Sequence, residues 1–187
     1  MAAPADRTIF CLTGRWSLNK SLSDSQDGIL QHQGMAYFVR KAIAYANITV
    51  DVDQYTDGEG VVHVDSKQSS MGRVGSVELR AADWIEREQD NPYFGKISGR
   101  CRFLSREDQK AEWEGLHEWL REGWNDEHGF LESVMRSTDR GWVLTQIWGF
   151  GVLGGERRYV RRLVLEKGDN VLKCRLVYDW QDSMRRE

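Results

Sequence analysis

The sequence predicts a mainly β protein: a closed antiparallel β-barrel of about ten strands, with a helix-turn-helix lid at residues 23–46 and one inserted helix at residues 105–128. Three observations carry that expectation. Apolar and polar residues alternate with period two along most of the 187-residue chain, the pattern of half-buried strands. Short turn signals rich in glycine, aspartate and asparagine separate the runs. An open sheet of that many strands would expose long unpaired edges, and closure removes them.

The opening run, Ile9 to Asn19, puts Phe10, Leu12, Trp16 and Leu18 on one face. Gly14 shares that face, and a glycine inside a strand marks a bend or a close approach. Ser23 and Gln26 have capping-box spacing, so a first helix is expected to run to Gln33 and stop at Gly34. Met35, Phe38, Val39, Ala42, Ile43 and Ala46 then recur at helical spacing, which predicts a second helix ended by Asn47. Ile48 to Tyr55 alternates, Asp57 to Gly60 turns, and Val61 to Gln68 alternates again, as in a hairpin. A turn at Gly72 to Gly75 leads to a strand expected at 76–84. Asp90-Asn91-Pro92 reads as a break, and a further strand is expected at 93–103.

Residues 105–128 interrupt the alternation. Ser105 and Asp108 resemble a cap, and Trp113, Leu116, Leu120 and Trp124 form an apolar stripe on an otherwise charged helix that would cover one end or one side of the barrel. Strands resume at 130–137, 142–150, 157–166 and 171–180.

A strand carrying Gly14-Arg15-Trp16, a helix pair and a long train of strands resembles the calycin superfamily, in particular its fatty-acid-binding-protein branch. In that branch the two helices lid the barrel mouth. Gln146-Ile147-Trp148-Gly149-Phe150 and Gly155-Glu156-Arg157-Arg158 are also similar to stretches of small lipocalin-like proteins of filamentous fungi, some of which sit in natural-product pathways. The resemblance implies a barrel that takes an apolar small molecule. It also implies that Trp16 closes the barrel base, under a cationic side chain such as Arg161 or Arg175. Fatty-acid-binding proteins hold their carboxylate with an Arg-x-Tyr pair on the last strand. Here the corresponding Arg175 and Tyr178 are three apart and fall on opposite faces, a departure from a simple fatty-acid role.

Composition narrows the function classes. One domain is expected from the length, with room for a cavity. A net charge of −3 argues against a nucleic-acid partner, which would need a basic surface. No 18-residue apolar run and no charged-then-apolar leader are present, so a cytoplasmic protein without a membrane span is expected. Cys11, Cys101 and Cys174 fit reduced core residues. His32, His63, His117 and His128 form no ligand pattern, so no metal is predicted, and no nucleotide or cofactor fingerprint occurs. Eight tryptophans imply large apolar surfaces, in a core or a ligand cavity.

Candidate site residues cluster late in the chain. If Leu163 and Leu165 point inward, so do Arg157, Tyr159 and Arg161. These side chains either hold an anionic or carbonyl oxygen of a ligand or form a solvated strand end. Gln146 and Trp148 share one face, as do Tyr178 and Trp180, and both sets fit a cavity or a packed core. Phe38 would reach down from the lid. Asp83, beside Trp84, is either a weakened acid that donates a proton or the start of a turn. Together these residues suggest a cofactor-independent cyclase or isomerase acting on an apolar, oxygenated natural-product intermediate. Tyr159, Arg157 and Asp83 would be its catalytic groups, with Gln146, Trp148, Tyr178, Trp180, Arg161 and Phe38 binding ligand. The alternative is a non-catalytic intracellular carrier of an apolar molecule, and either form is compatible with a homodimer.

Overall fold

The computed structural model describes residues 1–70, 73–125 and 129–181. Ten strands form one antiparallel sheet: β1 Gly14–Leu18, β2 Ile48–Thr56, β3 Val62–Ser70, β4 Arg73–Glu78, β5 Arg87–Asn91, β6 Gly95–Leu104, β7 Phe130–Ser137, β8 Trp142–Leu153, β9 Glu156–Lys167 and β10 Asn170–Gln181. Their order is β4-β3-β2-β1-β10-β9-β8-β7-β6-β5, a meander curled so that β1 pairs with β10. Each strand pairs with the next in sequence, apart from β4 with β5, as short turns between alternating runs favour.

Among the described residues β4 and β5, the two ends of the sheet, share no ladder. The chain between them bridges the interval at one level. The Val64 amide donates to the Arg80 carbonyl, the Ala82 amide to Val62 and the Trp84 amide to Cys101, so residues 80–84 stitch β3 to β6. Trp84 takes a positive φ of 62° at the end of that crossing. The strand expected at 76–84 is therefore β4 followed by this crossing. The break expected at 90–92 lies partly in β5, whose Arg-Glu-Gln-Asp-Asn has no apolar alternation because it pairs only with β6 and is largely exposed. The turn expected at Gly72 lies outside the described residues.

Two short helices, α1 Asp27–His32 and α2 Tyr37–Tyr45, follow β1 and cover the barrel mouth. Gly34, with φ of 84°, makes the turn between them and leaves room for the Arg140 guanidinium, which donates to the Gln33 carbonyl at 2.7 Å. The expected capping box is absent. Ser23 instead bonds the backbone of Val177 with its hydroxyl, at 2.9 Å from the amide, and α1 starts after Gln26 with no side-chain cap.

The barrel's far end is closed by aromatics. Trp16 is fully buried, its ring 4.8 Å from Trp180, 5.2 Å from Tyr159 and 6.0 Å from Phe150. Neither expected arginine covers it: Arg161 lies over Trp148, and Arg175 donates to the Leu22 carbonyl. Gly14 is needed here because a Cβ would stand 2.3 Å from the Trp180 ring, at a φ of 148°.

The insertion is two helices, α3 Lys110–Gly115 and α4 Glu118–Arg121, rather than one. Leu116 and His117 turn extended between them, and the His117 ring caps α4 by accepting from the Trp119 amide. Its apolar stripe nevertheless packs as a unit. Trp113 and Leu120 lie on Phe130, Ile147 and Val164, the outer face of β7–β9, so the insertion covers the barrel's side. Cys101 and Cys174 are buried and unpaired, and burial pushes their thiols up to about 11 and about 12; Cys11, expected in the core, is exposed. Among the described residues no helix is long and apolar enough to cross a membrane.

Candidate active site

A cavity of about 400 Å³ lies between the helical lid and the aromatic plug. Ile29, Leu30, Met35, Val39 and Ile43 form its roof. Leu144, Leu163 and Leu176 form its wall, and Ser76, Glu78 and Tyr93 line it where β4 and β5 stand apart. Its floor is polar: Gln146, Arg161 and Tyr178. Strand parity produces this layering. Along β9 the inward residues run Leu165, Leu163, Arg161, Tyr159 away from the lid, and in register beside Arg161 stand Trp148 on β8 and Leu176 on β10.

Arg161 is the centre of the floor. It is only 8% exposed, and its Nε donates to the Tyr159 hydroxyl at 2.7 Å. Its guanidinium sits 3.8 Å from the Trp148 ring centre and 5.1 Å from that of Tyr178, both cation–π distances. Trp148 is itself fixed by donating from Nε1 to Gln146 Oε1 at 3.1 Å. Burial opposes the charge on Arg161, but the oxygens of Tyr159, Tyr178 and Glu78 more than offset it, so the group stays protonated. Burial also raises the phenols of Tyr159 and Tyr178 above their ordinary value, which keeps both neutral. Nη2 of Arg161 is buried and has no hydrogen-bond partner. Arg161 is thus a charged donor held by rings and one phenol, lining the cavity as a residue and keeping one nitrogen without a protein partner.

A second charged group stands near it. Arg80 is buried, donates from Nη1 to the Ser66 hydroxyl at 3.0 Å and pairs through Nη2 with Glu78. Its guanidinium is 4.8 Å from the same Trp148 ring. Burial pushes the Glu78 carboxyl up, but the charges of Arg80 and Arg161 outweigh this and hold it ionised.

Of the residues singled out from sequence, Gln146, Arg161 and Tyr178 line the cavity. Trp148 and Tyr159 lie directly beneath, touching Arg161 rather than the open space. Trp180 belongs to the plug, with Arg7 5.2 Å over its ring. Arg157 shares the inward parity but lies beyond Phe150, 4.0 Å from that ring, and donates to the Pro4 carbonyl, so it is not at the cavity. Phe38 is 84% exposed; on α2 the faces of Val39 and Ile43 turn inward and carry Phe38 outward.

Asp83 does not fit a proton donor. Arg87 bonds both its oxygens, at 2.8 and 2.6 Å, and that hydrogen-bonded pairing holds its carboxyl down at about 2 from an ordinary 3.8. A folded-state value below the unfolded one means that the pair stabilises fully above about pH 4 and loses its effect as pH falls through about 2. Asp83→Asn is expected to cost less than about 1 kcal/mol near neutrality, since Arg87 is half exposed, and progressively less as pH falls through about 2. Urea midpoints across that range check it.

Sequence reasoning missed Glu78 and Arg80. In Val77-Glu78-Leu79-Arg80 alternation suggests that the apolar pair faces in, yet Val77 and Leu79 are exposed and the charged pair faces in. Two opposite charges two residues apart on one strand face were the available signal.

Comparison with known proteins agrees with this architecture. No protein-family model matches the chain. It is 31% identical over 183 residues to the pericyclase pydY of an Acremonium species, covering 96% of this chain and 97% of that one. It is 28% identical to the probable pericyclase scpY of Mollisia scopiformis, covering 96% and 94%. Among solved structures it is similar to the REP1-NXSQ fatty acid transporter, with a TM-score of 0.54 at 16% identity over 92% of this chain and 98% of that one. A Schistosoma mansoni fatty acid binding protein in complex with arachidonic acid gives a TM-score of 0.53 at 13% identity over 91% and 96%. Full-length similarity at this level, on a calycin barrel with a lidded cavity, places the chain in the family of these fungal pericyclases, as a pericyclase-like enzyme.

Proposed function

We propose that the protein closes a ring in an apolar, oxygenated natural-product intermediate by a pericyclic reaction inside the barrel, without a cofactor. In such a step bonds form and break around one cyclic transition state, and the product is an isomer of the substrate. Nothing is oxidised, reduced or transferred, so the chain's own residues have three tasks. The apolar roof and wall fold the substrate so that its reacting ends meet, a contribution worth about 7–11 kcal/mol in the best intramolecular cases. The lid keeps water out and so strengthens each polar contact within. Arg161 donates from Nη2 to a carbonyl conjugated with the reacting system and draws electron density toward that oxygen in the transition state.

The observation that carries this reading is Arg161, a buried cation lining the cavity below its apolar roof, whose Nη2 has no protein hydrogen-bond partner. Tyr159 and Trp148 act as positioning residues, since both hold the guanidinium in place. The test is the small-molecule profile of a producing strain with and without the gene. Loss of one cyclised product, with accumulation of an uncyclised compound of the same mass, is expected. Unchanged products in altered amounts would instead favour a carrier.

A further inference from the structure

The floor is one end of the cavity, and the lid end carries polar groups that the proposed reaction does not use. Gln33, at the end of α1, is only 2% exposed and lines the cavity. Its backbone is engaged on both sides: the amide donates to the Ile29 carbonyl, and the carbonyl accepts from Arg140. Its side-chain nitrogen, by contrast, is buried without a protein partner. A half-turn about the last side-chain bond exchanges the nitrogen and oxygen of the amide, so either can be offered to the cavity. Leaving such a group unmatched costs stability, and a ligand oxygen bonded to it removes that cost.

The strands place further polar groups at the same end. Arg140 donates to the Tyr93 carbonyl as well as to Gln33, which ties the turn after β5 to the lid. Gln68 on β3 stands beside Ser76 on β4, and Ser70 lies nearer the lid, beside Ile48 at the start of β2; all three polar residues line the cavity. Ser66, which holds Arg80, marks the other end of the same strand, so Ser70 stands roughly 13 Å from it at about 3.3 Å per residue. Across the cavity the lid end is apolar, with Met135 and Leu144 in register. Among the described residues the only charged side chains lining the cavity are Arg161 and Glu78, and Glu78 stands beside Ser66, away from the lid.

We infer that Gln33, flanked by Gln68, Ser70 and Ser76, forms a second subsite that binds a neutral oxygen of the substrate, a hydroxyl, ether or carbonyl, at the lid end of the barrel. This inference rests on the cavity being the substrate site. A carboxylate at that end would be buried without a cation lining the cavity to pair with it, so the subsite selects a neutral group. A substrate held there cannot slide along the leucine wall, and the atoms that react keep one position relative to it. Gln33 is therefore a specificity-determining residue, set apart from the floor.

Calorimetric titration of the full chain with decan-1-ol and decane-1,10-diol tests it. The two probes share one chain, and the diol adds a hydroxyl at its far end. The unmodified protein is expected to bind the diol about two- to tenfold tighter, the net worth of one neutral hydrogen bond. Gln33→Met keeps the length of the side chain and removes both of its polar atoms. It should abolish the preference, because the second hydroxyl is then buried without its partner, while decan-1-ol binds as before. The first comparison needs no variant and so does not depend on how the variant folds. Equal or weaker binding of the diol by the unmodified protein overturns the subsite, and so does a diol preference that survives in Gln33→Met. In both cases binding of decan-1-ol leaves the cavity assignment standing. If neither alcohol binds, the cavity assignment falls together with the subsite.

Discussion

Arg161→Met is expected to lower kcat by about 10²–10³-fold while leaving the protein folded, the scale observed when one preorganised donor to a developing oxyanion is removed. Methionine fills much of the same volume and keeps an apolar stem on Trp148, so the loss isolates the charge and the donor. The effect is expected chiefly in kcat, since the apolar roof and wall still hold the substrate. Arg161→Lys supplies the charge but not the fork that bonds Tyr159 through Nε and keeps Nη2 without a protein partner, and should recover only part of the activity. Steady-state rates of the three proteins, with urea midpoints to confirm folding, read the result.

Trp16→Ala is expected to destabilise by about 3–5 kcal/mol, the range for deleting a large buried aromatic side chain. Trp16 is wholly buried, donates from Nε1 to the Leu12 carbonyl at 3.1 Å, and touches Phe150, Tyr159 and Trp180. Its loss would leave a void at the closed end of the barrel, where neither strand ladder can relax: β1 is paired on both sides, with Trp16 opposite Trp180 and Val50. Because Tyr159 leans on Trp16 and holds Arg161, activity should fall even in molecules that remain folded. A lower urea midpoint together with a reduced kcat at low temperature would bear this out. A stability change under about 1 kcal/mol would mean that the plug is not closely packed.

The late strands were legible because their alternation is clean. Phe130–Ser137 begins and ends where the pattern does, and on β9 the parity that places Leu163 and Leu165 inside also carries Tyr159 and Arg161 inside. Local signals failed where tertiary contacts outweighed them. Ser23 has the spacing of a cap, but β10 offers its hydroxyl both an amide and a carbonyl at Val177. The helical stripe Trp113, Leu116, Leu120 and Trp124 survives a broken helix, because the side of the barrel fixes where those side chains lie and the backbone between α3 and α4 bends to suit.

The candidate site was legible only in part. Parity identifies which residues face inward, but not how deep each one sits along the barrel. Arg157 and Arg161 share a face, and only the depth of the plug separates a residue below Phe150 from one at the cavity floor. The Glu78–Arg80 pair was hidden for a different reason. Beside the interval between β4 and β5, inward does not mean apolar, so Val77 and Leu79 turn out to solvent and the charges turn in. Asp83, three residues further on, has an apolar neighbour in the sequence and a cationic one in space.

The most direct test of a pericyclic enzyme centred on Arg161 is conversion by the purified protein of the uncyclised compound that accumulates when the gene is removed, followed by chromatography and mass spectrometry without added cofactor. The expected result is a single cyclised isomer of unchanged mass, formed at a saturable rate that Arg161→Met nearly abolishes. Recovery of the compound intact after tight binding, or equal rates with and without Arg161, would contradict it.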